Sequence, residues 1–186
     1  MQQLLGYVLG LILTGLAAYG AYEAYTSAMD GQHIQSLQTQ LSSMQQQVTL
    51  QYQRRAGRYS WNGALTTATL ISSKIAPQSA INNATVTNPF EGTYVVMGNS
   101  SGAVSPLSTF SIIADNIPES DCEQIVKSFG TGGGLSGGPL YGYAVTATNV
   151  GGGALSTTIP DTDTNAHNNC VGPGGDTVAI QFVFNG

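Results

Sequence analysis

Residues 1–22 read MQQLLGYVLGLILTGLAAYGAY and carry no charged side chain. About 20 mostly apolar residues suffice to cross a bilayer core as a helix, so the segment just reaches that length. A second pattern follows without a break. Ile34, Leu37, Leu41, Met44, Val48 and Tyr52 recur every three or four residues, which places them on one stripe of a helix. The reading is a single helix with two solvents: an apolar half fit for a membrane, and an amphipathic half fit to lie on a globular domain. At 1.5 Å per residue such a helix spans roughly 80 Å.

The apolar half contains Gly6, Gly10, Gly15 and Gly20. Each glycine costs about 1 kcal/mol relative to alanine in a helix in water, so four of them call for a reason. Small residues let helix backbones approach closely, and Gly6-x-x-x-Gly10 is the small-xxx-small spacing of paired apolar helices. A secretory signal would show a basic start and a shorter apolar core. Here Lys and Arg are absent before Arg54 and the helical pattern runs on, which predicts a mature start instead. The amphipathic half has Gln, Ser and Thr opposite its apolar stripe, with no Asp, Glu, Lys or Arg between Asp30 and Arg54. A two-stranded coiled coil would want flanking charges, so this face is expected to meet other protein.

From about Ala56 onward the chain turns to Gly, Ser, Thr, Asn, Val and Ile. Roughly 130 residues can bury one core, which predicts one globular head. Strands are expected at 92–97, 108–114, 141–148 and 177–184, the last (TVAIQFVF) alternating most clearly. Helices are expected at 64–75 and 118–129, the second with acidic residues in its first turn and Lys127 near its end. The glycine runs at 132–134, 137–138 and 151–153 read as turns or loops.

The chain has two cysteines, Cys122 and Cys170. An even count in a chain with a translocated apolar start suggests one disulfide; two buried free thiols are the alternative. No constellation reads as catalytic. His33 lies on the long helix and His167 in an Asn-rich stretch read as a loop, and there is no Gly-x-Ser-x-Gly elbow. Asp161-Thr-Asp163-Thr-Asn165 begins like a calcium loop, but Ala166 replaces the glycine expected sixth and no Glu stands twelfth. An ordinary turn-rich loop is the expectation there. No metal, cofactor or enzymatic activity is expected. With a net charge of −5 and no extended basic patch, direct nucleic-acid binding is not indicated. Arg54, Arg55 and Arg58 sit where the long helix should end. Cations there suit the helix C-terminus; contact with acidic loops of a neighbouring copy, around Asp161 and Asp163, is the functional alternative.

Four features taken in order resemble the type IV pilins, most closely the type IVb class: the apolar helix running into an amphipathic one; Asn88-Pro-Phe-Glu-Gly-Thr93; Cys122 opening a helix in ESDCEQIV; and Asn169-Cys170 before the final strand VAIQFVF. The resemblance implies an α+β fold with a long N-terminal helix (about 1–54) packed on a head bearing an antiparallel sheet. It divides the chain into a membrane or filament-core helix half (1–28), an amphipathic half (29–54) and a head (55–186) whose C-terminal region is bounded by Cys122 and Cys170. It also implies a non-enzymatic shaft subunit. The expected partners are copies of itself, the inner membrane before assembly, and a pilus assembly machine. Met1, Leu5, Gly6, Gly10, Gly15, Gly20 and Glu23 would pack in the filament core. One departure stands out: the resemblance leads to a glutamate at position 5, which is Leu5 here, and the first acidic residue is Glu23.

Overall fold

A computed structural model describes residues 21, 29–54, 58–59, 61, 63–98, 109–129, 140–147, 163–171 and 176–185. Helix α1 covers residues 29–52. Its stripe of Ile34, Leu37, Leu41, Met44 and Val48 is buried, with none of the five more than 4% exposed. The helix ends two residues earlier than expected. Gln53–Arg54 forms β1, paired antiparallel with β2 (Arg58–Tyr59), so that Arg54 stands opposite Arg58 in backbone register. No helix among the described residues is long and apolar enough to cross a membrane. The expectation of a spanning half falls on residues 1–28, which apart from Ala21 lie outside the described residues.

Against α1 lies a five-stranded antiparallel sheet of β3 (Gly63–Ala64), β6 (Tyr94–Gly98), β7 (Thr109–Pro118), β8 (Leu140–Thr146) and β9 (Thr177–Asn185), in the order β3-β6-β7-β9-β8. A second hairpin, β4 (Ile81–Asn82) with β5 (Thr85–Val86), turns through Asn83 and Ala84, both at positive φ. That is the twist a two-residue hairpin needs. Helix α2 is shorter than expected, Thr67–Ser72, because Thr66 caps it: the Thr66 hydroxyl accepts from the Thr69 N–H at 3.2 Å. A 3-10 turn at Gln78–Ala80 follows. Helix α3 is Glu119–Ser128, close to expectation.

The core lies between α1 and the inner sheet face, where Val96, Phe110, Ile112, Ile180, Phe182 and Phe184 are fully buried. One aromatic series links the end of α1 to the sheet. Tyr52 tilts on Trp61 at 4.6 Å, Trp61 lies 6.2 Å from Phe110, and Phe110 stacks on Phe184 at 5.1 Å. Trp61 also lies over Gly98, where an added Cβ would come within 2.5 Å of the indole ring.

The stretch 88–93 turns out to be a clamp on β7. That strand bulges between Ala114 and Ile117, with Asn116 at φ 55°. Asn88 is buried; its Oδ1 accepts from the N–H groups of Phe90 and Gly92 at 2.8 and 3.1 Å, and its Nδ2 donates to the Asp115 carbonyl at 2.6 Å. Asn116 returns a bond from Nδ2 to the Phe90 carbonyl at 3.0 Å. Asp115 accepts from both the backbone N–H and the hydroxyl of Thr93. Gly92 must be glycine here, since a Cβ would stand 2.1 Å from the Asp115 carbonyl oxygen. Replacing Asn88 with alanine strands two backbone donors. Each buried unsatisfied group costs about 1–3 kcal/mol, so Asn88→Ala should lower unfolding stability by at least 1 kcal/mol or so in denaturant titration. An unchanged midpoint would refute the clamp.

Candidate functional site

Helix α4, Asp163–Val171, occupies sequence expected to be loop. Asp, Thr, Asn and His are indifferent helix formers, so tertiary ties decide. Cys170 is bonded to Cys122 on α3, with the two Cα atoms 5.9 Å apart. Ala166 is one turn before Cys170, and both are buried. Asn169 Nδ2 donates to the Tyr143 hydroxyl of β8 at 3.0 Å. His167 Nδ1 lies 3.3 Å from Glu123 Oε2, and Glu123 also pairs with Lys127. Lys127, followed by His167, holds the Glu123 carboxyl below its usual range. Of the residues singled out from the sequence, the disulfide pair is thus brought together. His167 lies on a helix rather than a loop. Arg54 and Arg58 lie in the hairpin after α1, and Asp163 opens α4. Met1, Leu5, Gly6, Gly10, Gly15, Gly20, Glu23, Arg55 and Asp161 lie outside the described residues.

Away from its buried stripe, α1 exposes Gln32, Gln35, Thr39, Gln46, Leu50 and Gln51. Leu50 is 77% exposed. A shallow groove of about 360 Å³ runs along this side, lined by Gln38, Thr39, Ser42, Ser43 and Gln46. Gln38 reaches across to α3, its Nε2 donating to the Ser128 hydroxyl at 2.8 Å. Further along, the Gln40 amide oxygen accepts from the Tyr94 hydroxyl at 2.8 Å in the core; burial raises the Tyr94 pKa, so the phenol stays a donor.

The start of α1 carries a different chemistry, which sequence reading did not single out. His33 sets its ring edge against Phe90, 5.5 Å between centroids. Asp30 and Asp121 interact across the α1–α3 join. Burial first, then the Asp30 carboxylate, raise the Asp121 carboxyl above its usual range, while His33 pulls it back in part. A carboxyl with a raised folded value favours folding below its ordinary pKa of about 4, and opposes it once pH has risen through the folded value. Asp121→Asn should therefore raise the melting temperature of the head at neutral pH and leave it nearly unchanged in acid below that ordinary value. A gain equal at both pH values would contradict this.

A sequence profile of the family described as PilS N terminal matches residues 31–184. The chain belongs to that pilin family. Its fold matches the crystal structure of a type IVb pilin from Salmonella typhi, with a TM-score of 0.55 at 22% identity over 84% of this chain and 99% of that one. It also matches TcpA, a type IV pilin from Vibrio cholerae El Tor biotype, with a TM-score of 0.51 at 15% identity over 82% of this chain and 98% of that one. No curated protein matches the chain in sequence. The pilin fold expected from the sequence is thus present: an amphipathic helix laid on an antiparallel sheet, with the disulfide closing the C-terminal region. As a pilin the chain is a structural subunit of an extracellular filament and not an enzyme. Among the described residues no group of three or more His, Cys, Asp or Glu converges as for a metal ion.

Proposed function

We propose that this pilin is the major subunit of a type IV-like pilus used for adhesion, conjugation or motility. It polymerises through its N-terminal helix. Residues 1–28 form the filament core, 29–54 join core to head, and 55–186 form the outer surface. Before assembly residues 1–28 hold the subunit in the inner membrane, from which an assembly machine extracts it. One observation carries the reading. Past Asp30, the α1 face turned away from the head is uncharged and exposes Leu50, and residues 1–22, earlier in the sequence, carry no charge. A helix serving only as a tether needs no such second face. The Gly6, Gly10, Gly15 and Gly20 spacing supports close helix packing in the core.

Electron microscopy of sheared surface material, with mass spectrometry of the isolated filaments, tests the proposal. Filaments built mainly of this chain are expected. A chain left in the membrane fraction and absent from filaments would overturn the reading in favour of a secretion-system pseudopilin or a tethered binding domain.

A further inference from the structure

Helix α1 is seated on the head through a repeating stripe. Ile34, Leu37, Leu41, Met44 and Val48 are spaced 3, 4, 3 and 4 residues apart, and all are buried. Burial of apolar area has no direction, so such a stripe by itself does not decide how far along the sheet the helix sits. Polar contacts do. Along α1, Gln38 donates to the Ser128 hydroxyl, Gln40 accepts from the Tyr94 hydroxyl, and Gln51 donates to the Ser73 carbonyl. Water can take the place of a lost partner at the first and last, since Gln38 is half-buried and Gln51 exposed. Gln40 and Tyr94 are each only 4% exposed.

The competing positions lie about one helical turn, or four residues, to either side. Moved one way, the helix sets Asp30, His33 and Gln40 in the sites of Ile34, Leu37 and Met44, which brings a carboxylate into the core. Moved the other way, it sets Gln38, Leu41, Gln45 and Val48 in the sites of Ile34, Leu37, Leu41 and Met44. The second is the near competitor. It keeps aliphatic side chains at alternate sites, and Gln45 is already buried in the observed position. What it loses is the polar pair in the core. Met44 takes the place of Gln40, and the Tyr94 hydroxyl is left without an acceptor. A buried donor stripped of its partner carries the full cost of its desolvation.

We infer that the Gln40–Tyr94 hydrogen bond fixes the register of α1 on the head, so that every copy carries its head at the same height on the helix. Gln40 and Tyr94 are positioning residues. A single buried polar pair in an otherwise apolar helix interface selects one register because only that register satisfies it. The inference rests on the pilus-subunit reading above and adds what makes the subunits alike. A head one turn out of place, roughly 6 Å for four residues at 1.5 Å each, does not meet its neighbours as the other heads do.

Two spin labels on the full chain in detergent, at Gln46→Cys on α1 and Ser120→Cys at the start of α3, read the register as a distance. Both positions are exposed, and the Cys122–Cys170 disulfide stays closed. The labelled but otherwise wild-type chain should give one narrow distance. Gln40→Leu with Tyr94→Phe replaces both partners by apolar groups, a change close to neutral for stability, so the melting temperature should hold or rise. The distance distribution should nonetheless gain a second population, shorter by up to about 6 Å. Filament yield from the same doubly substituted chain without labels should fall to a small fraction of wild type. Tyr94→Phe alone, which removes one oxygen and keeps the ring, should show the same second population at a lowered melting temperature. One unchanged distance in both variants overturns the inference, as does a wild-type filament yield from a chain that shows two. Either result leaves the pilus reading intact. Wild-type chain that forms no filament overturns that reading itself, and the distances in the unassembled chain still decide the register.

Discussion

Replacing Cys122 and Cys170 with serine should destabilise the head by about 4 kcal/mol, the chain-entropy value for a cross-link closing a sequence separation of 48 residues. For a head of this size the melting temperature should drop by roughly 10 °C or more. The loss should be concentrated in one place. Helix α4 consists of residues with weak helix preference, and its ties to the rest of the fold include the disulfide, the buried Ala166 and the Asn169–Tyr143 bond. Without the covalent tie, α4 should open by a local route with little of the protection that α1 and the sheet retain. Hydrogen exchange followed by mass spectrometry reads this directly. Expected is fast exchange over 163–171 with slow exchange kept over β7 and β9. A double-serine protein whose α4 exchanges as slowly as wild type, with an unchanged melting temperature, would show that noncovalent packing alone holds the segment.

Phe110→Ala should be as severe, at about 3–5 kcal/mol by the usual range for a buried phenylalanine truncated to alanine. Phe110 is fully buried on the strand at the centre of the sheet and touches both Trp61 and Phe184. Paired aromatic rings contribute about 0.5–1.5 kcal/mol beyond the area they bury, and two such contacts vanish together. The cavity would open beneath Trp61, which is itself held between Tyr52 and Gly98. The damage should therefore reach the end of α1. Chemical denaturation should show the lowered midpoint, and Trp61 fluorescence should report a looser indole in the native baseline. Phe110→Leu, which refills most of the volume, should recover more than half of the loss. Equal damage from alanine and leucine would mean that ring contacts, rather than the cavity, dominate.

Most of this architecture was legible where a pattern repeats. The α1 stripe repeats at helical spacing over five buried positions, and the structure places each of them in the core. Strands β6, β7 and β9 fall within a few residues of expectation because long apolar runs leave little choice. What escaped has a common cause. Hairpins β1–β2 and β4–β5 have two-residue strands, too short for any period to register, and Asn83-Ala84 lacks the glycine that would mark its turn. Helix α4 reads as loop from sequence because local preference there is overridden by a cross-link and by burial of two side chains. The stretch 88–93 stands out in the sequence, but its work depends on a bulge 22 or more residues away, at Asp115 and Asn116, which only the folded sheet brings near. The Asp30–Asp121 pair is hidden for the same reason: the two are far apart in sequence, and only the docking of α1 on α3 brings them near.

Strand β9 sits between β7 and β8 although it follows both in the chain. Among the described residues, β8 joins the sheet only through β9, and β7 finds its second neighbour only there. A chain delivered from its N-terminal end, whether from a ribosome or through a membrane pore, therefore presents β8 with no seat until residues 177–185 emerge. Until then, β7 keeps an open ladder edge of apolar sequence, the kind of edge that pairs with other chains. Contacts spanning such long stretches also form slowly. The interval before β9 arrives is therefore when the protein is most exposed to mispairing.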